Sequence, residues 1–231
     1  MQTFVGFLVL SLALAVGASP YLSRIVGGSD APEGKYPYQV SLWVNEKFHC
    51  GGSIVNERYI LTAAHCLYGI YAHRLRIGVG NRLLNETVDF YAAEKLISHD
   101  GFNPIKVSHD IGLIRLEKEI VYGDNAKPIP MTRNGPAPNC LQEIELRIAE
   151  QERCERVMGG AWPVGSKQIC TFTKSGEGAC NGDSGGPLVV DGYQIGIVSW
   201  GIPCGVGVPD VFTRVYAYLD WIQENTADDR R

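Results

Sequence analysis

Residues Gly182-Asp183-Ser184-Gly185-Gly186-Pro187 put three glycines into six positions around a single hydroxyl. Glycine lets the backbone take conformations that a side chain forbids, so this stretch is a tight loop rather than the interior of a strand or helix. Amides around Ser184 can then converge on one point instead of feeding a strand ladder. An isolated serine is a weak nucleophile; it needs a positioned base and donors for a developing oxyanion. Taken alone, the hexapeptide is a glycine-rich turn with an incidental serine. It is not alone, because Thr62-Ala63-Ala64-His65-Cys66 lies upstream and Asp110-Ile111-Gly112-Leu113-Ile114 lies between the two.

In the order His, Asp, Ser, these motifs resemble the chymotrypsin family of serine proteases. The resemblance runs from Arg24 to about Asn225. It implies an all-β, two-barrel, trypsin-like fold with a C-terminal helix, and a secreted serine endopeptidase. It also implies roles: His65 as general base towards the Ser184 hydroxyl, Asp110 fixing the imidazole tautomer, and the Gly182 and Ser184 N–H groups as the oxyanion hole. No cofactor and no metal site is expected, since no set of His, Cys and carboxylates has ligand spacing. His73, His99 and His109 read as surface or packing residues, and His49, beside Cys50, as structural.

Arg24 followed by Ile25-Val26-Gly27-Gly28 resembles the activation site of a zymogen. By that resemblance, cutting after Arg24 frees an ammonium at Ile25 that buries against Asp183. Two buried charges are tolerable only when well paired, so the pair can order the loop around Ser184. The family pattern further places Gly178 at the floor of the primary specificity pocket, Asp210 at a second position of its base, and Ser199-Trp200-Gly201 on the strand that pairs with substrate. A neutral floor favours Phe, Tyr or Leu before the cut bond, while a carboxylate at Asp210 admits basic residues more weakly. This combination resembles invertebrate digestive chymotrypsins and brachyurin-type collagenolytic proteases, which implies a digestive role with broad acceptance.

The bulk properties fit that setting. Residues 1–18 read as a secretory signal peptide, apolar from Phe4 to Val16 and closed by Val16-Gly17-Ala18. The apolar run stops short of the roughly 20 residues that a membrane span needs. Residues 19–24 are then the activation propeptide, and 25–231 the peptidase domain, with a first barrel at about 25–120 and a second at about 121–231. A formal net charge of −4 without a basic cluster points away from nucleic acid and anionic membranes. Expected partners are protein or peptide substrates, an activating trypsin-like protease and protein protease inhibitors, with the chain secreted, extracellular and monomeric. Secretion makes the seven cysteines disulfide candidates. The family pattern carries over as Cys50–Cys66, Cys154–Cys170 and Cys180–Cys204, leaving Cys140. Asn85-Glu86-Thr87 is a glycosylation sequon.

Short apolar runs separated by Gly and Pro read as strands: Tyr38 to Val44, Leu75-Ile77-Val79 in alternation, Ile111 to Leu116, and Ile144-Leu146-Ile148. Helical periodicity is expected only after residue 215, where Val215, Leu219, Trp221 and Ile222 form an amphipathic stripe. One interval departs from the family pattern. His65 and Asp110 are 45 residues apart, as expected, but Asp110 and Ser184 are only 74 apart. The shortfall falls between Met131 and Cys140 and amounts to roughly one strand plus a loop, so the second barrel is expected to miss a strand. The alternative reading is therefore a catalytically inactive homologue, or an abbreviated splice form.

Overall fold

In the computed structural model the described residues are 29–80, 84, 89–131, 146–158, 163–172, 174–202 and 205–227. The expected signal peptide, the Arg24–Ile25 junction, Asn85, Cys140 and Cys204 lie outside them.

Six strands close the first barrel: β1 (Gln39–Val44), β2 (Lys47–Ile54), β3 (Tyr59–Thr62), β4 (Leu75–Val79), β5 (Asp89–Ser98) and β6 (Gly112–Leu116). Their order around the barrel is β1-β2-β3-β6-β5-β4, and every neighbouring pair is antiparallel. Asn45 and Glu46 turn β1 into β2 with φ of 50° and 64°, a two-residue turn whose twist matches that of its flanking strands. Alternation then directs Val40 and Leu42 of β1, and Leu75, Ile77 and Val79 of β4, into a common core. The strands anticipated at Tyr38 to Val44, Leu75 to Val79 and Ile111 to Leu116 are β1, β4 and β6, give or take a residue.

The second half holds β7 (Gln168–Thr171), β8 (Pro187–Val190), β9 (Tyr193–Trp200) and β10 (Asp210–Arg214). Among the described residues these form an open sheet in the order β7-β10-β9-β8. Asp191 and Gly192, both at positive φ, make the β8–β9 turn. The strand anticipated around Ile144, Leu146 and Ile148 survives in its described part as one bridge, Ile148 to Thr171. Flanking hydrogen bonds run from Ala149 N–H to Cys170 O (2.9 Å) and from Phe172 N–H to Arg147 O (2.8 Å). Residues 132–145, where the chain is short by the family pattern, lie outside the described set.

One element went unanticipated: helix α1 (Gln151–Met158). Only Cys154 and Met158, four apart, are buried on it, and the positions between are mostly charged. An apolar stripe of two residues, one a cysteine, is too narrow for a periodicity search to detect. The Cys154–Cys170 disulfide ties α1 to β7, and the Cys50–Cys66 disulfide ties β2 to the segment after β3. Cys180 is also disulfide-bonded.

A short 3₁₀ turn, Val215–Tyr218, leads from β10 into α2 (Leu219–Thr226), the helix expected from the sequence. Val215, Tyr218 and Ile222 join the core of the first barrel, although they follow the second sheet in the chain. The C-terminal segment thus fastens one half to the other. A buried hydrogen bond does the same elsewhere: Ser53 Oγ of β2 donates to Gln194 Oε1 of β9 at 2.6 Å. No helix among the described residues is long and apolar enough to cross a membrane.

Candidate active site

Strand register brings the first two motifs together. β3 and β6 pair with Thr62 opposite Gly112. The chain leaving β3 therefore reaches His65 at the same rim where the chain entering β6 has just passed Asp110. His65 lies in a single 3₁₀ turn, Ala64–Cys66, anchored by the Cys50–Cys66 disulfide. Its backbone N–H donates to Asp110 Oδ1 at 2.8 Å, and its Nδ1 meets Asp110 Oδ2 at 2.8 Å. Both carboxylate oxygens thus grip one residue, which fixes the ring and puts the proton on Nδ1.

Asp110 is 1% exposed, and a buried carboxylate is stable only when its oxygens are well supplied with donors. The second half of the molecule supplies one more: Ser199 Oγ of β9 donates to Asp110 Oδ2 at 2.5 Å. Thr213 Oγ1 of β10 donates to the Asp110 carbonyl at 2.7 Å. Sequence reading assigned Ser199 to the substrate strand alone and missed Thr213. No local motif signals either contact with Asp110; only β9 and β10 arriving beneath it reveals them.

The glycine loop is held by its neighbours. Ser184 O accepts from Gly51 N–H of β2 at 2.8 Å, Gly185 N–H donates to Val198 O at 2.8 Å, and Val198 N–H donates to Gly186 O at 2.9 Å. Gly185 has φ of +78°, and a Cβ there would clash with Thr62 Oγ1 and lie 2.6 Å from Gly51 O. Because Thr62 ends β3, this contact seats the Ser184 loop against the start of the His65 turn. Asp183 Oδ2 accepts from Cys180 N–H at 2.8 Å. The Gly182 and Ser184 amides donate to no described residue. Among the described residues the Ser184 hydroxyl likewise makes no hydrogen bond, and His65 Nε2 meets Cys66 Sγ at 3.6 Å. Hydrogen bonds of this kind are often open without substrate and tighten when it binds.

Gly178, Gly201 and Asp210 meet at one point. A Cβ on Gly178 would lie 2.6 Å from Asp210 Oδ2, and one on Gly201 3.0 Å from Asp210 Oδ1. The carboxylate therefore occupies the space where a side chain at 178 would begin. Asp210 is 9% exposed, and Ala179 N–H donates to its Oδ2 at 2.8 Å. Burial raises its pKa to about 6, partly opposed by the Ala179 hydrogen bond.

The remaining histidines sit where packing puts them. His99 and His109 stack with centroids 4.9 Å apart against Tyr218, His73 stacks on Tyr71, and His49 Nε2 contacts Cys66 O at 3.1 Å. Cys50, His65 and Cys66 crowd together, but both sulfurs belong to one disulfide and neither is a thiolate ligand.

Gly185→Ala tests the loop contact directly. A β-carbon at positive φ against Thr62 and Gly51 should lower unfolding stability by about 2 kcal/mol or more, read as a fall in the denaturation midpoint. An unchanged midpoint contradicts the close approach.

Comparison with known proteins agrees with this geometry. The family model described as Trypsin matches residues 25–222. Chymotrypsin-2 of Vespa crabro is 51% identical over 221 residues, spanning 87% of this chain and 99% of that protein. Those shares leave roughly twenty aligned positions of the wasp protein without a counterpart here, about the size of one strand and a loop. Trypsin II-P29 of Gallus gallus is 35% identical, covering 96% of this chain and 98% of its own length. Among solved structures, neuropsin, a serine protease expressed in mouse brain, superposes with a TM-score of 0.77 at 31% identity, over 86% of this chain and 98% of its own. A matching family model across most of the chain, on a scaffold that clamps His65 to Asp110 beside the Ser184 loop, makes this chain a member of the trypsin family and a serine endopeptidase.

Proposed function

We propose that the protein is a secreted digestive endopeptidase, made as a zymogen and cutting mainly after Phe, Tyr or Leu. The observation that carries the mechanism is the double grip of buried Asp110 on His65, at 2.8 Å through both carboxylate oxygens. Substrate bound across Ser199-Trp200-Gly201 brings its scissile carbonyl to Ser184. His65 Nε2 takes the hydroxyl proton as Ser184 Oγ attacks, and the imidazolium that forms is stabilised by Asp110. The carbonyl oxygen, now negative, accepts from the Gly182 and Ser184 amides. His65 then returns the proton to the leaving amine, and water repeats the sequence on the acyl-enzyme to free Ser184. Residues 1–18 act as the secretory signal, 19–24 as the propeptide, and cutting after Arg24 frees the Ile25 ammonium to pair with Asp183.

The pocket supports an apolar preference. Gly178 offers no floor charge, so an aromatic side chain enters without meeting an aspartate at that position. Asp210 beside it favours a guanidinium or ammonium as a minor substrate. A second reading, an inactive relative, draws on the unbonded Ser184 hydroxyl and the short segment before Cys140.

One experiment separates the two readings. After trypsin treatment, the protein should label with a fluorophosphonate probe and hydrolyse Phe peptides. Ser184→Ala should abolish both, while Arg24→Gln should block their appearance. Failure of the trypsin-cut protein to label favours the inactive reading, and labelling of Ser184→Ala overturns the assignment of the nucleophile. For the pocket, Asp210→Gly should remove cleavage after Arg and spare cleavage after Phe, compared as kcat/KM on matched peptides. An unchanged ratio contradicts this view of Asp210.

A further inference from the structure

Asp210 is an unusual group to find at the base of a pocket that takes apolar side chains. It is 9% exposed, and among the described residues its hydrogen-bond donor is one backbone amide, Ala179 N–H. Glycines stand against both carboxylate oxygens, Gly178 at Oδ2 and Gly201 at Oδ1, so no side chain from either wall intervenes between the carboxyl group and a substrate. The charges on the surrounding elements are engaged elsewhere. Lys174 and Glu177, in the loop that carries Gly178, pair with each other at 3.0 Å. Asp183 accepts from Cys180 N–H. Arg214, at the far end of β10, donates to Ser166, Gln151 and Gln168. β7 carries no ionisable side chain, and the tyrosine of β9 is Tyr193, at the end away from Trp200. No described cation neutralises Asp210, and no described anion repels it.

A carboxyl group placed like this has two stable partners. Ionised, it needs a cation, and a substrate Arg or Lys supplies one. Protonated, it presents a neutral wall to an aromatic ring, whereas a buried guanidinium would then lack a counter-charge. We propose that the proton on Asp210 sets the selectivity of the pocket, so that the enzyme cuts after aromatic and leucine residues in acid and gains cleavage after Arg and Lys as the medium turns neutral. This rests on the reading of Gly178 and Asp210 as the base of the primary pocket. The balance falls within a working range because burial has already raised the pKa of Asp210 to about 6. A fully solvated aspartate would stay ionised throughout that range and would not switch.

The ratio of two substrates isolates this proton from the one on His65. Protonating His65 disables attack on every substrate alike and cancels in the ratio of kcat/KM for matched Arg and Phe peptides. Neither substrate side chain titrates in this range. For the activated protein the Arg/Phe ratio should fall about tenfold from about pH 8 to about pH 5, following the ionised fraction of a group with a midpoint near 6. Asp210→Asn, which keeps the shape and an oxygen for Ala179 N–H, should hold the ratio at its acid value at every pH. A flat wild-type ratio with a lower flat ratio in Asp210→Asn overturns the proton switch and leaves the pocket reading standing. Identical ratios in both proteins at every pH overturn the pocket reading, and the switch with it. A sigmoid that persists in Asp210→Asn assigns the switch to another group. The wild-type profile decides against the switch by itself should the variant not fold.

Discussion

The arrangement depends on one carboxylate that water does not reach. Asp110 is buried where the first barrel meets the second sheet, and its ligands come from both sides: His65 from the turn after β3, Ser199 from β9, and Thr213 from β10 through the main chain. Ion burial of this kind is costly unless several donors surround it. Separating the halves would strip Ser199 from Asp110 and leave the charge underserved. The same contacts that orient the imidazole therefore also hold the two halves in register, and Ser53–Gln194 and the C-terminal helix reinforce them.

Rigidity around this joint comes from local chemistry. Each of the two described disulfides spans 16 residues of sequence, and closing a loop of that size contributes about 3 kcal/mol, chiefly by restricting the unfolded chain. One of them stands beside His65, so it also limits where the imidazole can go. Gly185 provides the opposite kind of precision. It lets the Ser184 loop touch Thr62 because no side chain separates them. Gly178 and Gly201 in turn leave room for the Asp210 carboxylate, which arrives from a third segment. Burial there raises the pKa of that carboxyl group to about 6.

Much of this was legible in the sequence because it is local. Short apolar runs announced β1, β4 and β6, and the stripe of Val215, Leu219 and Ile222 announced the C-terminal helix. His65, Asp110 and Ser184 stood out through the motifs around them, and two expected disulfides are formed as paired. What escaped was long-range or weakly patterned. Helix α1 buries only Cys154 and Met158, so its charged sequence looks like a loop until the disulfide fixes one face inward. Thr213 and the second role of Ser199 depend on strands 89 and 103 residues away from Asp110 folding beneath it. The close approach of Asp210 to Gly178 is likewise a contact between distant segments, which no local motif encodes.

If Asp110 holds the imidazole in its working tautomer, the consequence is measurable in one variant. Asp110→Asn keeps the side-chain shape but presents an amide N–H to His65 Nδ1, favouring the wrong tautomer. Its kcat after activation should fall by about four orders of magnitude while circular dichroism shows the fold retained. A folded Asp110→Asn protein whose kcat stays within about tenfold of the parent would contradict the account.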